Sequence, residues 1–141
     1  MDAQRLFRCL SLLGRAGFRI GGLVDGIGAK PAGARFYPED MTEEEWNAFA
    51  DPDKTSQYTM IVRDDDGNLK CVWYHDYFAE QIKKAASLLD DASELAGDPE
   101  FAEYLRLRAK ALRTDDYLES DMRWMDVRNN NIDMVVGPIE N

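Results

Sequence analysis

"YFAEQIKKAASLLDDASELAGDPEFAEYLRLRAKALR", residues 77–113, decides the fold. Phe78, Ile82, Ala85, Leu89, Ala92 and Ala96 recur every three or four positions, the spacing of one helix face. That spacing predicts a helix over 77–96, with Asp76 as its cap. Punctuation follows at Gly97-Asp98-Pro99. Gly97 closes the first helix, Asp98 caps the next, and Pro99 takes a first position where no N–H is missed. The second helix runs to about Arg113, with Phe101, Tyr104, Leu105, Arg108, Ala109 and Leu112 turned inward. Arg106, Arg108, Lys110 and Arg113 fall in its later half, where cations suit the helix dipole. The link is short, so the two helices pack as an antiparallel hairpin.

Upstream, "QYTMIVRDDDGNLKCVWYH" (57–75) places two β-rich runs around Asp66-Gly67. Glycine accepts positive φ, so this pair predicts a tight β-hairpin turn. The acidic triplet does not make an EF-hand loop: counted from Asp64, the required sixth-position glycine is Leu69. Before it, "MTEEEWNAFADPDK" (41–54) predicts a short helix. Thr42 and Glu45 form its capping box, Trp46 and Phe49 share a face, and Asp51-Pro52 ends it. Residues 3–16 carry Leu6, Leu10 and Leu13 at helical spacing. Residues 21–38 form a Gly/Pro loop. Neither a phosphate loop nor a dinucleotide fingerprint fits it, because Lys30 lies between Ala29 and Pro31 and no helix opens after Gly28.

Downstream, "RTDDYLESDMRWMD" (113–126) gathers five carboxylates, Asp115, Asp116, Glu119, Asp121 and Asp126. They fit helix caps at Thr114 and Ser120 better than a metal or acid–base cluster. Trp124 and Met125 are expected to bury against the helix pair. The run Ile132–Val136 reads as a buried strand that needs a neighbour for its backbone groups. His75, the sole histidine, closes the second strand and reads as a hydrogen-bonded edge residue, since zinc generally takes at least three protein ligands.

The formal charge of -10 disfavours a polyanionic partner, so no nucleic acid is expected. No apolar run approaches the ~20 residues of a membrane span, and no signal peptide is read in the first 22 residues. Cys9 and Cys71 fit reduced thiols. The expected location is the cytoplasm. The fold class is α+β: a helix-rich partial lobe with a β-hairpin, an antiparallel helix pair and a C-terminal strand. Residue chemistry alone yields no complete catalytic site.

Residues 36–75 and 105–141, with an echo in "GAKPAGARFYPEDMT" (28–42), resemble the bacterial branch of the dipeptidyl peptidase III family of zinc metallopeptidases. The resemblance spans about residues 27–141; the first 25 or so depart from it. Its most specific piece is "IDMVVGPIEN" (132–141). Gly137, Ile139 and Glu140 match a Gly-x-Ile-Glu motif, and Asn141 takes the variable slot before a tyrosine. The resemblance implies a two-lobed enzyme. Residues 1–38 would supply an N-terminal helix and loop, and 39–141 part of the lobe lining the substrate cleft. It implies a substrate-binding Glu140 that receives the free peptide amine, with Gly137 and Asn141 beside it. It implies zinc held by a His-Glu-x-x-Gly-His or His-Glu-x-x-His helix that this sequence lacks. The chain is therefore expected to bind no zinc, to be inactive alone, and to have peptide and the rest of such a polypeptide as partners. The alternative is a self-standing protein-interaction module.

Overall fold

A computed structural model describes residues 36–129 and 131–138. The expected helix at 3–16, nearly all of the Gly/Pro loop, and Ile139, Glu140 and Asn141 lie outside the described residues. The described chain is α+β: α1 (Glu43–Ala48), β1 (Thr59–Arg63), β2 (Leu69–Trp73), α2 (Tyr74–Tyr77), α3 (Ala79–Leu95), α4 (Pro99–Thr114) and α5 (Leu118–Asp126). It divides into two compact units. One holds Met1–Ala50 and Ile61–Leu69, the other Asp51–Met60 and Lys70–Asn141.

In the first unit, α1 starts as its sequence dictates. The Glu45 N–H donates to Thr42 Oγ1, and the Thr42 N–H donates back to the Glu45 carboxylate. Trp46 is buried, with Tyr37 edge-on to it at 5.6 Å. Arg63 binds both Asp40, at 2.9 Å, and Glu45, at 3.0 Å. The Arg63 hydrogen bond, followed by the Thr42 backbone, holds the Glu45 carboxyl below its ordinary range. At the hairpin tip the Gly67 N–H donates to Asp64 O, Asp64 and Asn68 pair, and Gly67 has φ +85°. This is a three-residue loop whose last position needs glycine.

In the second unit α3 and α4 pack along their lengths, and α5 packs on α4. Asp98 caps α4 by accepting from the Phe101 N–H at 2.8 Å, and Pro99 opens the helix. All six residues expected on the inner face of α4 are buried, Arg108 among them. Met134 and Val136 lean on this core.

Several expectations are corrected. The helix expected over 77–96 is found as α3 at Ala79–Leu95, with a separate short helix before it. Tyr74–Tyr77 makes its own turn, Phe78 leaves helical geometry at φ -107°, ψ 30°, and α3 starts at Ala79. Asp76 therefore lies inside α2 and does not cap the long helix. Gly97 is not the terminator either. Ala96 already turns extended, at ψ 123°, and carries the chain directly toward the Asp98 cap. His75 sits in α2, not on β2.

Thr114 and Ser120 do not cap α5. The Thr114 hydroxyl donates back to Lys110 O and the Ser120 hydroxyl to Tyr117 O. Trp124 and Met125 stay out of the core, Met125 at 60% exposure. Residues 132–136 form no strand in the described structure. The sheet contains β1 and β2 alone. Without a partner strand the run makes no ladder; it keeps a period-two burial, with Met134 and Val136 half-buried and Val135 exposed between them, and Asp133 accepts from Trp124 Nε1 at 3.0 Å.

Candidate functional site

The motif at the end of the chain is anchored through Gly137. Its φ is +131°, a conformation open to glycine. The following Pro138 narrows the choices for any other residue there. A Cβ at position 137 would lie 3.1 Å from Tyr117 Cε1 and 3.4 Å from Arg108 Nη1. The backbone thus comes directly down on an aromatic ring and a guanidinium.

That seat is built from α4 and the start of α5. Helical spacing puts Tyr104 and Arg108 four residues apart on the buried face of α4, so they stack one above the other. The left-handed turn at Asp115, φ 56°, ends α4 and swings Tyr117 back over Arg108. The Arg108 guanidinium lies 5.4 Å from the Tyr104 ring centre and 5.4 Å from that of Tyr117. Such cation–π contacts strengthen on desolvation, and the Arg108 side chain is 3% exposed. Asp121 supplies the counter-charge at 2.5 Å. Burial raises the pKa of the Tyr104 hydroxyl, which lies beside the guanidinium and the Val136 backbone N–H. Burial, then the nearby Asp115 carboxylate, raises that of Tyr117 well above a free phenol.

Asp115 makes the second polar centre. Its side chain is fully buried, and Oδ2 lies 2.6 Å from His75 Nδ1 and 3.2 Å from the His75 backbone N. A carboxylate can only accept, so Nδ1 carries the proton and Nε2 is left for other partners. The nearest carboxylate to Nε2 is that of Asp76, at 3.6 Å.

The five carboxylates of 113–126 do not converge. Asp115 faces His75, Asp121 faces Arg108, and Glu119 pairs with Lys110 at 2.8 Å. No three His, Cys, Asp or Glu side chains come together as a metal site among the described residues. The described residues of this region offer zinc no set of three ligands. Of the three residues expected to contact substrate, Gly137 sits on the Tyr117–Arg108 seat; Glu140 and Asn141 lie outside the described residues. Sequence reading turned Arg108 inward but did not find its seat or the His75–Asp115 pair. An arginine on an apolar helix stripe was the available signal for the first. Nothing local marks the second.

No family model matches the chain. Among solved structures, dipeptidyl-peptidase III of Caldithrix abyssi matches at 43% identity with a TM-score of 0.72, over 80% of this chain and 22% of that one. Dipeptidyl-peptidase III of Corallococcus sp. strain EGB matches at 27% identity with a TM-score of 0.64, over 74% of this chain and 21% of that one. Among curated proteins, Nudix hydrolase 3 of Arabidopsis thaliana is 28% identical over 79% of this chain and 18% of its own length. The chain thus spans about a fifth of the relatives it matches. In sequence and in fold, the chain is dipeptidyl-peptidase III-like over a stretch of that protein's length.

Proposed function

We propose that this chain is part of the substrate-cleft lobe of a zinc-dependent, dipeptidyl-peptidase III-like metallopeptidase that releases dipeptides from peptide N-termini. The observation that carries this reading is the 43% identity and shared fold with the Caldithrix abyssi protein across 80% of the chain. In this reading residues 39–141 belong to that lobe, and zinc is held by the remainder of the polypeptide. Glu140 receives the substrate's ammonium, with Gly137 and Asn141 beside it. A carboxylate desolvated in a cleft makes a strong charge-assisted pair with an ammonium. A fixed distance from that pair to the scissile bond makes dipeptides the product. The reading carries an expectation of a cytoplasmic setting. No described helix is long and apolar enough to cross a membrane.

A second reading, a protein-interaction module, draws on α5. Leu118, Met122 and Met125 recur on one face of that helix, all more than half exposed. In the first reading the rest of the polypeptide covers this face; in the second, a separate protein does.

Zinc content and dipeptide release, measured on the 141-residue chain and on a polypeptide that joins it to a zinc-bearing remainder, separate the two. The first reading expects neither property from the chain alone and both from the longer polypeptide. Dipeptide release with one zinc per isolated chain, or a longer polypeptide inert toward peptides, overturns it.

A further inference from the structure

We propose that residues 133–136 are an edge strand whose partner is a β-strand supplied by the remainder of a longer polypeptide. The partner pairs along the edge that carries the backbone groups of Asp133 and Val135. The inference rests on the reading of this chain as part of such a polypeptide and adds the described backbone that receives the rest of it. It needs neither the zinc nor the amine anchor.

The segment is already held straight. Residues 132–136 run without a bend. At one end the Asp133 carboxylate accepts from Trp124 Nε1 at 3.0 Å. At the other, Gly137 lies against Tyr117 and Arg108. The two holds are four residues apart, about 13 Å of extended chain. Between them Met134 and Val136 pack on the core. In extended chain the N–H and C=O of one residue point to one edge, and those of the next residue to the other. The Val136 N–H lies beside the Tyr104 hydroxyl, so α4 closes that edge. Asp133 and Val135 present their groups on the opposite edge, where they bond to no described residue.

That open edge has the character of one that is covered. Sheet edges left to water are guarded by lysine, proline or an inward-pointing charge. Residues 133–136 contain no lysine or proline, and their one charge, Asp133, is engaged by Trp124. Val135 is β-branched and 45% exposed. β1 and β2 pair with each other, and the described residues contain no third strand. The chain spans about a fifth of the relatives it matches, which makes the remainder the occupant. A strand already straight loses little freedom on pairing, and main-chain hydrogen bonds along an open edge supply the attraction.

The test compares the 141-residue chain with a polypeptide that joins it to a zinc-bearing remainder, by hydrogen–deuterium exchange read at single residues. In the chain alone the Asp133 and Val135 amides are expected to exchange at nearly the rate of unstructured peptide. In the longer polypeptide they should slow at least about a hundredfold, as amides in a stable ladder do. Val135→Pro removes one N–H from the open edge. It should leave the Tm of the chain alone within about 2 °C and lower that of the longer polypeptide by about 5 °C or more. Val135→Thr keeps the N–H and should match the wild type in both.

Fast exchange of both amides in the longer polypeptide overturns the inference. So does slow exchange in the chain alone. Protection independent of concentration would place the partner within residues 1–141, and protection that grows with concentration would make it a second copy. Dipeptide release by the same longer polypeptide keeps the two ideas apart. An inert polypeptide with slowed amides rejects the peptidase reading and keeps the strand; an active one with fast amides does the reverse.

Discussion

Asp115 and His75 lie forty positions apart, and a single oxygen of the Asp115 carboxylate receives both the Nδ1–H and the backbone N–H of His75. The contact joins the end of α4 to the turn that follows the hairpin. It also holds Asp115 in the left-handed conformation that aims Tyr117 at Arg108. Local strain and long-range hydrogen bonding are therefore two aspects of one residue.

Substitutions at Asp115 should separate these two roles. Asparagine tolerates left-handed backbone and can still accept, so Asp115→Asn should cost least, about 1 kcal/mol. Glycine relieves the backbone but loses both hydrogen bonds. Alanine loses them and adds the steric penalty, for a total of about 2–4 kcal/mol. Urea unfolding should rank the three as Asn, Gly, Ala in rising cost. Equal midpoints for Asn and Ala would show that the carboxylate holds nothing.

The helix pair was legible because its signals are local. The Asp98 cap, Pro99 and the apolar stripe through Leu105 and Leu112 each act within one or two turns. The Gly67 turn was legible for the same reason. The break at Phe78 was not, because the turn at Tyr74–Tyr77 is stabilised by His75 binding a residue forty positions away. The run Ile132–Val136 has a strand's composition, yet composition supplies no partner strand. Trp124 and Met125 were expected inside on hydrophobicity alone, which does not say what covers them. Arg108 was placed on the correct face, but its stacking on Tyr117 depends on a left-handed turn at an aspartate, which few sequences announce.

Alkali should reveal the buried phenols. Burial raises the pKa of Tyr104 and Tyr117 in the folded chain. In the interval above a tyrosine's ordinary pKa of about 10, the unfolded chain binds fewer protons than the folded one. The stability these groups contribute is complete below about pH 10 and is lost as pH rises toward their folded values. Absorbance at 295 nm, followed with far-ultraviolet circular dichroism, should show the last tyrosinates of the chain's six tyrosines appearing only as helicity falls. Ionisation of all six near pH 10 with the helices intact would contradict the packing of the seat.

The outer face of α5 should be energetically silent in the isolated chain. Gln in place of Leu118, Met122 or Met125 is expected to change stability by no more than about 0.5 kcal/mol, since each is more than half exposed. Leu105→Ala, at a site 1% exposed, should cost about 2–5 kcal/mol. Thermal unfolding measures both. In a longer polypeptide whose remainder covers α5, the three Gln variants should become destabilising. If they stay silent there, this face is not where the remainder packs.

The central claim is that this chain supplies the carboxylate that reads a peptide's free amine, and one comparison tests it most directly. A polypeptide that joins the chain to a zinc-bearing remainder is given the same peptide with a free and with an acetylated N-terminus, as wild type and as Glu140→Gln. Acetylation replaces the ammonium with an uncharged amide and adds an acetyl group. The account predicts dipeptide release from the free peptide and at least about tenfold lower kcat/KM for the acetylated one, the scale of a lost charge-assisted pair. It predicts that Glu140→Gln erases most of that difference by weakening cleavage of the free peptide. Equal cleavage of both peptides by the wild type, or a preference for the free amine that survives Glu140→Gln, would contradict it.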